Sequence, residues 1–260
     1  MESVLKIENL KYKNILKGVT LTLKEKSFNV LIGKGGSGKT TIVNCIRGLL
    51  KFEGNISIFN NEINQKNDLN IYKDVGFFLE DDIVLENNIY EELLSLLKNL
   101  DYTEEKAKKR IYSIAKKFGL MDILFVENHK LVGYQKTIIS FVFSIIHDPK
   151  LLIIDNRLGT LDNKNKTNIL NYLESQKKIT VLFISNNNEY FEKADNLFLL
   201  KEGKIALFGK LSEIVEKEST FIKCGSSIPF SYDLSNKLMA YELLKKQELD
   251  FEKMVNKIWK

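Results

Sequence analysis

Gly33, Lys34, Gly35, Gly36, Ser37, Gly38, Lys39 and Thr40 follow the order glycine, four further residues, glycine, lysine, threonine. That order suits the cradling of a phosphate chain. Glycines let successive backbone N–H groups converge on phosphate oxygens, Lys39 bridges terminal phosphates, and the Thr40 hydroxyl is of the type that holds Mg²⁺. Ser37 and Thr41 complete the contacting set, and the dipole of a helix starting here adds a positive end. A second oxygen donor is expected from Asp155, which closes the apolar run Leu151, Leu152, Ile153, Ile154. A carboxylate ending a central parallel strand points into the crevice where such sheets bind ligands.

These residues need a strand before the loop and a helix after it. Residues 28–32 are a short apolar run of the kind buried in a parallel sheet. After the loop, Ile42, Cys45, Ile46, Leu49 and Leu50 recur at the helical period, which predicts a helix over 41–50. Upstream, residues 4–7 and 19–23 alternate in short bursts that predict strands joined by tight turns. Tyr12 falls in the first connection, placed either to stack on an adenine ring or to pack. Residues 54–59 and 75–79 read as further strands, split by a polar, turn-rich segment at 60–70.

From 89 to 118 the period becomes helical. Ile89, Leu93, Leu96, Leu97 and Leu100 share one face, Thr103 is placed as an N-cap before Glu104 and Glu105, and Gly119 closes the run. Residues 135–146 are apolar almost all round, as a helix buried on every side would be. Strands follow at 151–155 and 180–184, then a hairpin of 197–200 and 204–208 across Glu202 and Gly203. The tail beyond Gly209 ends with Phe251, Met254, Val255, Ile258 and Trp259 at helical spacing behind Asp250 as cap. That face covers either the core of its own chain or a second subunit.

Composition sets the limits. At 260 residues and 44% hydrophobic content the chain buries a substantial core. Its longest nearly uninterrupted apolar run, 138–146, is too short to cross a bilayer. The start lacks a basic-then-apolar signal pattern, and Cys45 and Cys224 are too few for a disulfide framework, so the cytosol is the expected compartment. Cys45, on the apolar helix face, reads as a core thiol. The net charge of +5 forms no long basic block, which speaks against a nucleic-acid-binding stripe and suits either an anionic membrane surface or a solvated face.

Further motifs stand between the loop and Asp155. Leu131-Val132-Gly133-Tyr134-Gln135 matches a Leu-Ser-Gly-Gly-Gln pattern in part; His147 and Pro149 lead to Asp155, and Gly159-Thr160-Leu161-Asp162 follows it. With these the chain resembles the nucleotide-binding subunits of ABC transporters along its whole length. Its tail, with Gly203, Gly209, Glu213, Pro229 and Leu238, is most similar to the ATPase subunits of energy-coupling-factor (ECF) vitamin and metal importers.

The resemblance implies an α/β P-loop NTPase cassette over 1–209, with a parallel-sheet core, an antiparallel β subdomain and a helical subdomain at about 83–146. An α-rich C-terminal extension would occupy 210–260. It implies ATP and Mg²⁺ as ligands, the metal held by Thr40, Asp155 and Glu80, and Tyr12 on the adenine. Leu131 to Gln135 would be the signature that meets a partner's ATP, and Asp162 would belong to the D-loop. A second ABC ATPase in a head-to-tail dimer, integral membrane subunits and a peripheral place on the cytoplasmic face of the membrane follow; nucleic acid does not.

Five positions depart from the family pattern. Asn156 stands where a Glu polarises the attacking water, Asn186 replaces the switch His, Glu80 replaces the Q-loop Gln, and the signature has Val132 for Ser and Tyr134 for Gly. A neutral amide orients water without accepting its proton, and loss of a general base costs about 10²–10⁴-fold. The set predicts Mg-ATP binding with slow turnover, a nearly inactive homodimer, and a heterodimer whose partner site keeps attenuated activity through Gly133 and the helix N-terminus. A non-hydrolysing structural or regulatory clamp is the alternative. A soluble P-loop enzyme or nucleic-acid-associated ATPase fits less well, since the latter commonly carries two cassettes per chain.

Overall fold

In the computed structural model the described residues are 2–63, 69–79, 87–155, 157–186, 188, 190–215 and 217–259. Alternating apolar residues produce β1 (Ser3–Tyr12) and β2 (Leu16–Lys24), an antiparallel pair. β3 (Phe28–Ile32) enters the glycine loop, which leaves as α1 (Lys39–Ile46). β4 (Glu53–Ile58) and the short β5 (Asn61–Glu62) rejoin the first pair, and β6 (Val75–Phe78) starts a different sheet edge. Three helices, α2 (Ile89–Asn99), α3 (Glu104–Lys117) and α4 (Gly133–Ile145), precede β7 (Leu151–Asp155). α5 (Asn163–Ser175) leads to β8 (Thr180–Ser185), then β9 (Asn196–Lys201) and β10 (Lys204–Gly209) close the sheet. The tail folds as α6 (Leu211–Ile214), α7 (Glu218–Lys223), α8 (Phe230–Ala240) and α9 (Phe251–Ile258).

Two sheets result. One, in the order β2-β1-β4-β5, is antiparallel; the other runs β10-β9-β3-β8-β7-β6, parallel throughout except for β10 at its edge. Successive side chains of a strand face opposite sides, and here both sides are covered. Val30, Ile154 and Phe183 enter the core shared with α2 to α5 and the tail, while Leu31, Ile153 and Leu182 enter the core shared with α1 and the antiparallel sheet. That is why the parallel strands read as continuous apolar runs. Phe141 of α4 meets Phe78 and Phe118 edge-on at 5.4 Å each, joining the helical layer to the sheet.

Some elements differ from their sequence patterns. The helix expected over 41–50 stops at Ile46. Gly48 adopts φ 71° and donates to Cys45 O, and Leu49 donates to Asn44 O, a Schellman closure that turns Leu49 out to 61% exposure. The same closure ends α3 at Gly119, as expected: Leu120 N donates to Ala115 O at 2.8 Å. Thr103 occupies the N-cap of α3 with no side-chain hydrogen bond to it. Tyr12 is the last residue of β1, paired with Leu16, rather than part of a connection. Asp250 caps α9 through Lys253 N at 3.0 Å, yet of that helix's apolar face only Met254 is buried. Phe251 stacks on Phe230, and both remain exposed.

Candidate functional site

Strand register decides where the chemistry gathers. Ile32 lies opposite Ser185, and Asp155 opposite Ile184, so the glycine loop, Asp155 and Asn186 all emerge at the C-terminal edge of the parallel sheet. Open α/β sheets bind ligands at this edge.

The loop glycines divide into two kinds. A Cβ on Gly33 would lie 2.4 Å from Leu200 O and 2.6 Å from Ser37 Oγ; one on Gly38, at φ 108°, would lie 2.6 Å from Leu16 Cδ2. These two are needed for close packing. Above Gly35 and Gly36 nothing stands within 4 Å of an added Cβ, so the crest is open to a ligand. At the floor, Lys39 Nζ donates to Gly33 O at 2.6 Å and Lys34 O at 2.9 Å, with Ser37 Oγ at 3.5 Å. Burial pushes the Lys39 ammonium below its ordinary value, and the charge of Asp155 opposes that shift.

The Thr40 hydroxyl donates to Asp155 Oδ2 at 3.3 Å. A hydroxyl and a carboxylate held this close, beside an open glycine crest, are the hard-oxygen donors that Mg²⁺ shares with a bound phosphate. Among the described residues no group of three His, Cys, Asp or Glu gathers to hold a metal by itself.

A cleft of about 300 Å³ covers these groups, lined by Gly35, Gly36, Gly38, Lys39, Thr40, Thr41, Asp155 and Asn186. It is also lined by Ile15, which sequence reasoning missed. Ile15 sits in the turn after Tyr12, and its only sequence signal is that proximity. Gly203, at φ 79°, holds the turn in place: an added Cβ would lie 2.0 Å from Ile15 O, and Lys17 N donates to Gly203 O at 2.8 Å. Tyr12 is half-buried, with Lys13 Nζ 5.2 Å from its ring centroid. Glu80 and Asn156 lie outside the described residues.

The signature-like segment stands elsewhere. None of residues 131–135 lines the phosphate cleft. Leu131 is buried, while Val132 and Tyr134 are about half exposed (51% and 50%) at the start of α4. Gln135 Oε1 accepts from Val132 N at 3.0 Å, one half of a capping box whose other half requires a hydroxyl at 132. Tyr134 and Gln135 share a second cleft, of about 500 Å³, with Asp162. Asp162 caps α5 by accepting from Asn165 N at 2.8 Å, which holds its carboxyl below the usual range.

A strand-loop-helix phosphate cradle at the C-terminal edge of a parallel sheet, backed by an antiparallel sheet and flanked by a helical layer, defines a P-loop nucleotide-binding cassette. The profile of the ABC transporter family matches residues 16–158, and the chain belongs to that family. It is 28% identical over 255 residues to the energy-coupling factor transporter ATP-binding protein EcfA1 of Mycoplasma pneumoniae, covering 95% of this chain and 91% of that protein. It is 30% identical over 276 residues to EcfA2 of Clostridium acetobutylicum, another energy-coupling factor transporter ATP-binding protein, covering 94% and 96%. In fold it is similar to cbiO1 from Clostridium perfringens, part of the ABC transporter complex cbiONQ, with a TM-score of 0.72 at 24% identity, covering 86% of this chain and 94% of that one.

Proposed function

We propose that this chain is the ATP-binding subunit of an ECF-type ABC transporter, binding Mg-ATP at residues 33–41 and turning it over slowly at its own site. The observation that carries the reading is the Thr40–Asp155 pair, 3.3 Å apart beside a glycine crest with open space above it. The likeness to energy-coupling factor ATP-binding proteins over nearly the whole chain supports the transporter assignment. Residues 1–209 would form the cassette and 210–260 an extension to it.

Mg-ATP, when bound, supplies the electrophilic terminal phosphoryl group. The chain's part is to orient and neutralise: N–H groups of the loop and Lys39 meet the phosphates, Thr40 and Asp155 hold the metal with Glu80 as third donor, and Tyr12 meets the base. Asn156 and Asn186 carry amides, so neither takes a proton from water at neutral pH. Turnover then depends on a second cassette, whose nucleotide would face Val132, Gly133 and Tyr134 of this chain. The assembly would sit peripherally on the cytoplasmic membrane face, docked to integral subunits; among the described residues no helix is long and apolar enough to cross a membrane. The same amides favour a second reading, a clamp for which binding alone is the required event.

Steady-state ATPase assays separate these. The chain alone should show little turnover, and Asn156→Glu should raise it about 10²-fold or more, the range of a restored general base. Turnover by the unaltered chain alone at the rate of that variant would refute the disabled site. A silent Asn156→Glu variant, with and without a partner cassette, would favour the clamp.

A further inference from the structure

The tail meets the surroundings of the phosphate site at two points. The first is Asn188, two positions beyond the cleft-lining Asn186. Its Nδ2 donates to Ser227 O and Ser227 Oγ at 3.1 Å each and to Ile228 O at 3.2 Å. Nearby, Phe191 packs on Phe221 with ring centroids 5.9 Å apart, and Ser231 Oγ donates to Glu192. The stretch after β8 is thereby fastened to α7, to α8 and to the link between them.

The second point is Gly225, at φ 83°. A Cβ there would lie 2.2 Å from Lys34 Cγ, so the stem of this loop lysine lies directly on the glycine. Only glycine satisfies both the backbone conformation and the contact. A cavity of about 430 Å³ is lined by loop residues 34–37 on one side and by Lys223 and Cys224 of the tail on another.

We propose that Asn188 is a positioning residue that ties the loop carrying Asn186 to tail residues 227 and 228, so that docking of the tail and occupancy of the nucleotide site are coupled. The coupling rests on the reading that residues 33–41 bind Mg-ATP. A ligand that orders the glycine loop and residue 186 acts on both contacts, through Lys34 and through Asn188. Linkage makes the effect reciprocal: a docked tail raises nucleotide affinity by the factor by which nucleotide favours docking.

Backbone hydrogen exchange over residues 221–232, with calorimetric Mg-ATP titration of the full chain, tests this. Saturating Mg-ATP should slow exchange there in the unaltered chain. Asn188→Ala should abolish that slowing and weaken Mg-ATP binding roughly 3- to 10-fold, the scale of one or two net hydrogen bonds. Ser227→Ala keeps both carbonyl acceptors and should retain most of the response. Gly225→Ala should reproduce the loss through the other contact. A purely structural role for Asn188 would speed tail exchange equally with and without nucleotide, and that result overturns the coupling. So does tail exchange that ignores bound Mg-ATP in the unaltered chain. If calorimetry detects no Mg-ATP binding at all, the nucleotide-binding reading falls and the coupling with it.

Discussion

Lys39 spends its ammonium on two loop carbonyls, which keeps a buried cation satisfied and aimed at the crest. A phosphate entering the loop meets a charge already desolvated, where charge-assisted hydrogen bonds are worth about 1.5–3 kcal/mol. Lys39→Ala should therefore lower Mg-ATP affinity on the order of ten- to a hundred-fold, measured by calorimetry, with only a modest change in thermal stability. Cys45 behaves as its position on the apolar face of α1 suggests: burial pushes its thiol up to about 11, leaving it a packing group. Residue identity carried most of this. Glycines, lysine, threonine and aspartate announce a phosphate and metal chemistry by type, whereas Ile15 is an ordinary apolar residue whose place in the cleft depends on the remote Gly203.

Among the elements, α4 starts on half of a capping box. Gln135 reaches back to Val132 N, but valine has no oxygen to return to the N3 amide. Val132→Ser should complete the box and stabilise the chain by about 1 kcal/mol, which for a domain of this size is roughly a 2–4 °C rise in the melting midpoint. A calorimetric scan checks it. At the far end of α4, the Arg110 guanidinium donates to Ile145 O and Ile146 O and pairs with Asp148, closing the helix carbonyls. His147 lies beside this closure, its Nε2 3.3 Å from Val75 O and its buried Nδ1 without a partner among the described residues. Burial lowers its pKa below 6.5, against smaller opposing effects of Val75 O, Asp148 and Asp74. The unfolded chain thus binds this proton more readily than the folded one, so stability is full above pH 6.5 and falls as pH drops below it. Denaturant titrations across that range should show the slope, and His147→Gln should flatten it.

At the scale of the molecule, one chain presents a phosphate cleft and, lined by different residues, a second cleft holding Tyr134 and Gln135 of the signature-like segment. The tail adds a second exposed surface of Phe230, Phe251, Val255 and Trp259. Trp259 is the only tryptophan and is 84% exposed. In the isolated chain its fluorescence should be quenched by acrylamide as fully as that of a free indole; a protected emission would show that this face is covered in solution.

By itself the sequence determined the glycine loop, the strand-ending Asp155, the buried strand runs and helices α1 to α4 and α9, because each is encoded in local spacing and residue type; α5 went unmarked, and α6 to α8 were foreseen only as an α-rich extension. It also marked the tail's amphipathic end. Tertiary structure alone decided that Thr40 and Asp155, 115 positions apart, come within 3.3 Å, that Ile15 is pressed into the cleft, that Lys34 and Asn188 meet the tail, and that the face of α9 stays largely bare. Periodicity states which side of an element avoids water. What that side meets is fixed by cross-strand register and by contacts between distant segments, neither of which is written in any one stretch of chain.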